Sequence, residues 1–165
     1  MFANNYNQGP RGNQPSNGGN FHNSNNSKGR SFTSPSESPE YVFGNANYQS
    51  SWITNEADSK LVEFAEIMGK YMAENGLTKS KIRSIYGEII RIQMRGYERE
   101  KASFFLLRPK VAYALARDKN NKGLQLFKLI FDDCYKAVSN QKTYLNFCNL
   151  LEAILAYHKA NGGKD

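Results

Sequence analysis

Cysteine, histidine and late proline are scarce in this chain, and each scarcity closes a route. Only two cysteines occur among 165 residues, Cys134 and Cys148, and they lack a CxxC spacing. That argues against a disulfide framework or a cysteine-rich zinc site, and both thiols are expected to be small buried apolar groups in a reduced compartment. Of two histidines only His158 lies in the part patterned to fold, in one stripe with Leu151, Ile154 and Leu155. A packed structural role is expected for it. No window approaches eighteen continuous apolar residues, and the polar N-terminus has no apolar stretch of the secretory kind. A membrane span and a secretory signal are therefore not expected, and a cytoplasmic setting is.

What is abundant early in the chain is asparagine. Residues 1–50 hold eleven Asn, six Gly and every proline except Pro109, with Tyr6, Phe21 and Phe32 widely scattered. Such a segment does not bury enough apolar area to offset the entropy of ordering it, so residues 1–50 are expected to be a disordered leader, leaving residues 51–165 for one domain. The leader carries Arg11, Lys28 and Arg30 but nets only +1, which suits a tether better than a binding arm.

From Ile53 onward the apolar residues recur at helical spacing. Leu61, Phe64, Ala65, Met68, Tyr71 and Met72 stripe a first helix, with Glu56 and Asp58 before it and Gly76 at its close. Thr78 is placed to cap a second, whose Ile82, Ile85, Tyr86, Ile89 and Ile92 share a face. A third is expected to open with Pro109 at its first position and to carry Val111, Ala112, Leu115 and Ala116 as far as Arg117. Leu124, Phe127, Phe131, Cys134, Tyr135 and Val138 mark a fourth; Tyr144, Phe147, Cys148, Leu151, Ile154 and Leu155 mark a fifth. Nothing alternates like a strand. The expected fold is all-α, a small five-helix bundle behind the leader.

Charge is concentrated rather than spread. Residues 79–122 carry twelve Lys and Arg against four Asp and Glu, a local net of +8 in a chain that nets +7. Residues 51–78 net −3 and residues 123–165 only +1. Arg91, Arg95 and Arg99 fall at i, i+4, i+8, on a flank away from the isoleucine stripe. Lys79, Lys81 and Arg83 crowd the start of the second helix, and Arg108 and Lys110 flank Pro109. A helix start is already partly positive and favours Asp or Glu, so each cation there costs about 0.3–1 kcal/mol unless an anion arrives. A phosphate at such a place gains both backbone N–H groups and side-chain charge. Arg117 instead suits the end of the third helix, and Lys119 and Lys122 fit either role. A merely solvated face would also account for the charge. The crowding at two helix starts favours an anionic partner, with Lys79, Lys81, Arg83, Arg91, Arg95, Arg108, Lys110 and Arg117 as the candidate contacts.

No catalytic constellation stands out. There is no glycine-rich phosphate loop, GxSxG or HExxH. Asp132 and Asp133 with Glu152 make a poor metal set, because adjacent residues point about 100° apart on a helix. No catalytic residue, metal or cofactor is expected.

Three segments carry a resemblance: LTKSKIR at Leu77–Arg83, RPKVAYALAR at Arg108–Arg117 and LEAILAYHKANGGKD at Leu151–Asp165. In their order and spacing the chain resembles the small subunit of the type III-A CRISPR-Cas effector, the Csm complex. The resemblance implies a helical subunit without catalytic activity, present in several copies, contacting guide (CRISPR) RNA and target RNA beside larger Csm backbone subunits and a signalling and nuclease subunit. It makes Lys81, Arg83 and Arg117 leading RNA contacts and Tyr113, Phe147, Glu152 and Tyr157 framework residues. The Asn-rich leader departs from that family's pattern. Two rival readings stand beside it: a pure protein–protein assembly subunit with a solvated basic face, and a helix-turn-helix DNA-binding protein built on the second and third helices.

Overall fold

The computed structural model describes residues 37–164, and every regular element among them is an α-helix. In chain order these are α1 Pro39–Asn45, α2 Ser51–Thr54, α3 Ser59–Glu74, α4 Lys79–Arg95, α5 Lys101–Phe105, α6 Leu107–Arg117, α7 Lys122–Ala137 and α8 Gln141–Ala160. The five expected helices are α3, α4, α6, α7 and α8. The short α1, α2 and α5 are additional, and too brief for a periodic stripe to reveal them.

The fold therefore begins well before residue 51. Ser38 caps α1, its hydroxyl accepting from the Tyr41 N–H at 3.2 Å, and Pro39 takes the first helical position. Val42 of α1 and Trp52 and Ile53 of α2 are buried. The Tyr71 hydroxyl donates to the Glu37 carbonyl at 2.6 Å, and the Asn146 amide donates to the carbonyls of Ile53 at 3.0 Å and Asn55 at 2.9 Å. The Tyr71 bond to Glu37 and the burial of Val42 tie into the fold residues 37–50, which composition assigned to the leader. Residues 1–36 lie outside the described residues, and the expectation of disorder there with them.

Helix α3 starts at Asp58, whose carboxylate accepts from the Leu61 N–H at 3.0 Å and from the Trp52 indole at 2.8 Å. It ends at Gly76, whose φ of +82° suits glycine. Its expected stripe is buried, and so is Gly69. A Cβ on Gly69 would stand 2.5 Å from the Ile154 carbonyl oxygen and 2.6 Å from the His158 nitrogen, so α3 and α8 cross backbone to backbone there. Helix α8 opens with a capping box between Asn140 and Thr143. Its inner face meets an aromatic cluster in which Phe104 stacks on Tyr135 with ring centroids 4.5 Å apart, and Tyr144 donates its hydroxyl to the Ile89 carbonyl at 2.8 Å. Cys134 and Cys148 are free and buried, as expected, and burial pushes each thiol up to about 12. His158 is buried as expected, with Nε2 2.9 Å from the Leu77 carbonyl.

Helix α6 starts earlier than expected. It begins at Leu107, so Pro109 is its third residue, a position where a missing N–H is still tolerated. Its buried residues are Leu107 and Val111, while Ala112 and Ala116 are exposed. Helix α5 also intervenes between α4 and α6, so these two lack the three- or four-residue turn of a helix-turn-helix.

Candidate nucleic-acid interface

Helix α4 holds its isoleucines in the core and presents cations on two different flanks. Lys81 lies on the flank facing α6, and Lys79 and Arg83 on the flank facing α8. A rotation of about 100° per residue is the reason: Lys79 and Arg83 are four apart and align, whereas Lys81 lies half a turn from both. Two grooves result, one on each side of α4.

The groove between α4 and α6 has a volume of about 690 Å³ and collects Lys81, Lys110, Arg117 and Tyr113, with Ser80 and Ser84 along its α4 wall. Tyr113 is 66% exposed, and the Arg117 guanidinium lies over its ring at 5.9 Å. The carboxylates at hand are Asp118, which pairs with Lys81, and Glu88, 3.5 Å from Lys110. The hydrogen bond from Lys81 holds the Asp118 carboxyl below its ordinary range, and the Asn121 amide supports it at 3.2 Å. Asp118 thus aims Lys81 along the groove without enclosing it, for the two side chains keep 35% and 38% of their exposure. Exposed pairs of this kind contribute only ~0–1 kcal/mol, so an incoming phosphate readily competes for the ammonium.

Beyond the groove the cations are tied into the fold. The Arg91 guanidinium grips Glu88 with two hydrogen bonds, of 3.0 and 2.9 Å, and reaches Glu100 at 2.9 Å and the Ser103 hydroxyl at 2.9 Å. These contacts hold the guanidinium more firmly protonated, chiefly through Glu88 and then Glu100. They lower the Glu88 carboxyl chiefly through Arg91, and the Glu100 carboxyl chiefly through Ser103 and then Arg91. Arg95 stands 3.5 Å from Glu100. Lys110, Glu88, Arg91, Glu100 and Arg95 so form one chain of alternating charge that staples α6 and the start of α5 to α4. Arg108 points elsewhere, to Asp132 of α7 at 3.4 Å and over the Tyr135 ring at 5.8 Å.

The expectation of uncompensated cations is accordingly corrected. Lys81, Arg91, Arg95, Arg108 and Lys110 each meet a carboxylate, whereas among the described residues Lys79, Arg83 and Arg117 have none within ion-pair distance. The two helix starts are also less open to an anion than the sequence suggests. Leu106 is at once the C-cap of α5 and the N-cap of α6, its N–H is already bonded to the Ala102 carbonyl, and Pro109 has no N–H, so the start of α6 offers an anion fewer donors beside Arg108 and Lys110 than an ordinary helix start. At the start of α4 the Lys79 N–H already donates to the Lys164 carbonyl at 2.9 Å.

Tyr113, which the resemblance gave as a framework residue, is instead exposed beneath the Arg117 guanidinium. Its position held the signal, since it lies six residues beyond buried Leu107, about 240° round the helix. Phe147 is buried as a framework residue should be, and Glu152 is exposed. Asp132 is engaged by Arg108 and Lys128, and Asp133 by Lys136 at 2.7 Å. Among the described residues no cluster of three or more His, Cys, Asp or Glu is placed to hold a metal, and no helix is long and apolar enough to cross a membrane.

No curated protein and no solved structure matches the chain. The model of the Csm2 Type III-A family matches residues 55–164, which run from the turn before α3 to the end of the described fold and include both walls of the basic groove. With two thirds of its length matched, this all-helical chain belongs to the Csm2 Type III-A family, the small subunit of the type III-A CRISPR effector known as the Csm complex.

Proposed function

We propose that this small subunit binds the backbone of guide or target RNA, without reading its sequence and without catalysing a reaction, through the groove between α4 and α6. The observation that carries the reading is the convergence of Lys81, Lys110 and Arg117 on one open groove beside exposed Tyr113. Ammonium and guanidinium groups suit phosphate oxygens, and a tyrosine face accepts any base by stacking, so the combination favours single-stranded RNA without sequence preference. Arg95 extends the positive edge, while Arg91 and Arg108 serve the fold. Other Csm subunits and further copies of this chain would surround the same RNA in the cytoplasm.

Salt dependence tests it. For the full chain, or for its assembled complex where single copies bind weakly, log affinity for single-stranded RNA should fall with log salt by about 0.7 per phosphate contacted. Replacing Lys81, Lys110 and Arg117 together by alanine should flatten that slope by about 2 and weaken every sequence alike. An unchanged slope would return the chain to the reading of a pure assembly protein, and a marked preference for one duplex DNA sequence to that of a DNA binder.

A further inference from the structure

The second flank of α4 has different chemistry. Between α4 and α8 runs a groove of about 320 Å³, at the small end of ligand-sized pockets. Ile82 and Leu155 supply apolar lining, and the half-buried Tyr86 ring lies beside them. Lys79 and Arg83 border it from α4 and Lys159 and Lys164 from the end of the fold. Among the described residues that line it there is no carboxylate, while Glu152 of α8 stands near enough to push up the Tyr86 hydroxyl, second to burial. The His158 ring borders it too, with Nε2 already bonded to Leu77.

The lining of Ile82 and Leu155 between α4 and α8 suits a hydrocarbon side chain better than the polar edge of a nucleobase. The cations that border it select for one carried between carboxylates. We propose that the α4–α8 groove is a docking site for a protein segment that presents one large apolar side chain flanked by aspartate or glutamate. Helix α4 then works on both sides, with RNA on its α6 flank and a protein partner on its α8 flank. The division goes beyond RNA binding and does not depend on it.

Gly87 makes the idea testable. It lies on the rim in the middle of α4, where a Cβ would meet nothing within 4 Å and where most residues stabilise a helix better than glycine. Gly87→Leu should fold at least as stably as the parent while filling the mouth of the groove. The full chain with the photo-crosslinker p-benzoylphenylalanine at position 86 would be assembled into its effector complex, and the crosslinked peptide identified and synthesised. A protein peptide with an apolar residue within a few positions of Asp or Glu is expected. Its affinity for the full chain, read by fluorescence anisotropy, should fall at least about tenfold, or about 1.4 kcal/mol, with Gly87→Leu and with Arg83→Glu. RNA affinity should be unchanged in Gly87→Leu, and peptide affinity should be unchanged in the Lys81, Lys110 and Arg117 alanine variant, so the two sites fail separately. Crosslinking to RNA, crosslinking to no protein segment, or peptide binding indifferent to Gly87→Leu would each overturn the proposal.

Discussion

Arg117 lies over the ring of Tyr113, one turn earlier on α6, at 5.9 Å from the ring centroid. The contact holds a guanidinium and an exposed phenol together at the lip of the basic groove, where a phosphate and the base attached to it would arrive side by side.

Tyr113 should therefore matter for binding and not for folding. Tyr113→Ala is expected to leave the melting temperature within about 2 °C, since exposed positions usually change stability by less than ~0.5 kcal/mol. It should weaken single-stranded RNA binding by about 1–3 kcal/mol, the usual value of one base stacked on an aromatic ring. Tyr113→Phe keeps the ring and should bind like the parent. Fluorescence anisotropy with a labelled oligonucleotide checks both.

Arg91 should behave in the opposite manner. Its carboxylate partners Glu88 and Glu100 are both held below their ordinary range. A group whose folded pKa is depressed contributes stability above its unfolded value, here about 4.3, and that contribution is lost as pH falls through the folded value. Thermal melts of the parent between neutral pH and about pH 3 should show stability declining below that point. Arg91→Ala should lower the melting temperature at neutral pH and narrow its gap from the parent in acid, while Arg95→Ala changes little at either pH. A gap that is constant with pH would refute the role given to the ion-pair chain.

Gly69 tests the backbone contact between α3 and α8. An alanine Cβ there would press on the Ile154 carbonyl oxygen and the His158 nitrogen, both main-chain atoms that do not swing aside. Gly69→Ala should cost about 1–3 kcal/mol or more, despite the better helix propensity of alanine. At exposed Gly87 the same change should be neutral or stabilising, and parallel urea titrations of the two variants compare them directly.

Much of the fold was legible from local pattern. The stripes of α3, α4, α7 and α8, the start at Asp58 and the stop at Gly76 follow from helical period and end chemistry, which depend on residues a few positions apart. Thr78 takes the N-cap position of α4 without a cap bond from its side chain. The concentration of cations between residues 79 and 122 was equally plain. Short α1, α2 and α5 were not legible, because fewer than two turns show no period and their order comes from contacts such as Asn146 to Ile53.

The sequence by itself determined that this chain is helical, where its helices run, and that its central third is basic. The tertiary structure alone decided which of those cations meet a carboxylate of the same chain and which do not. Lys81 meets Asp118 and Arg108 meets Asp132 across 37 and 24 residues of chain, while Arg91 gathers Glu88 from its own helix and Glu100 from beyond Gly96. Charge is a property of the residue, but its compensation is a property of distance, and distances between remote residues exist only once the helices have packed.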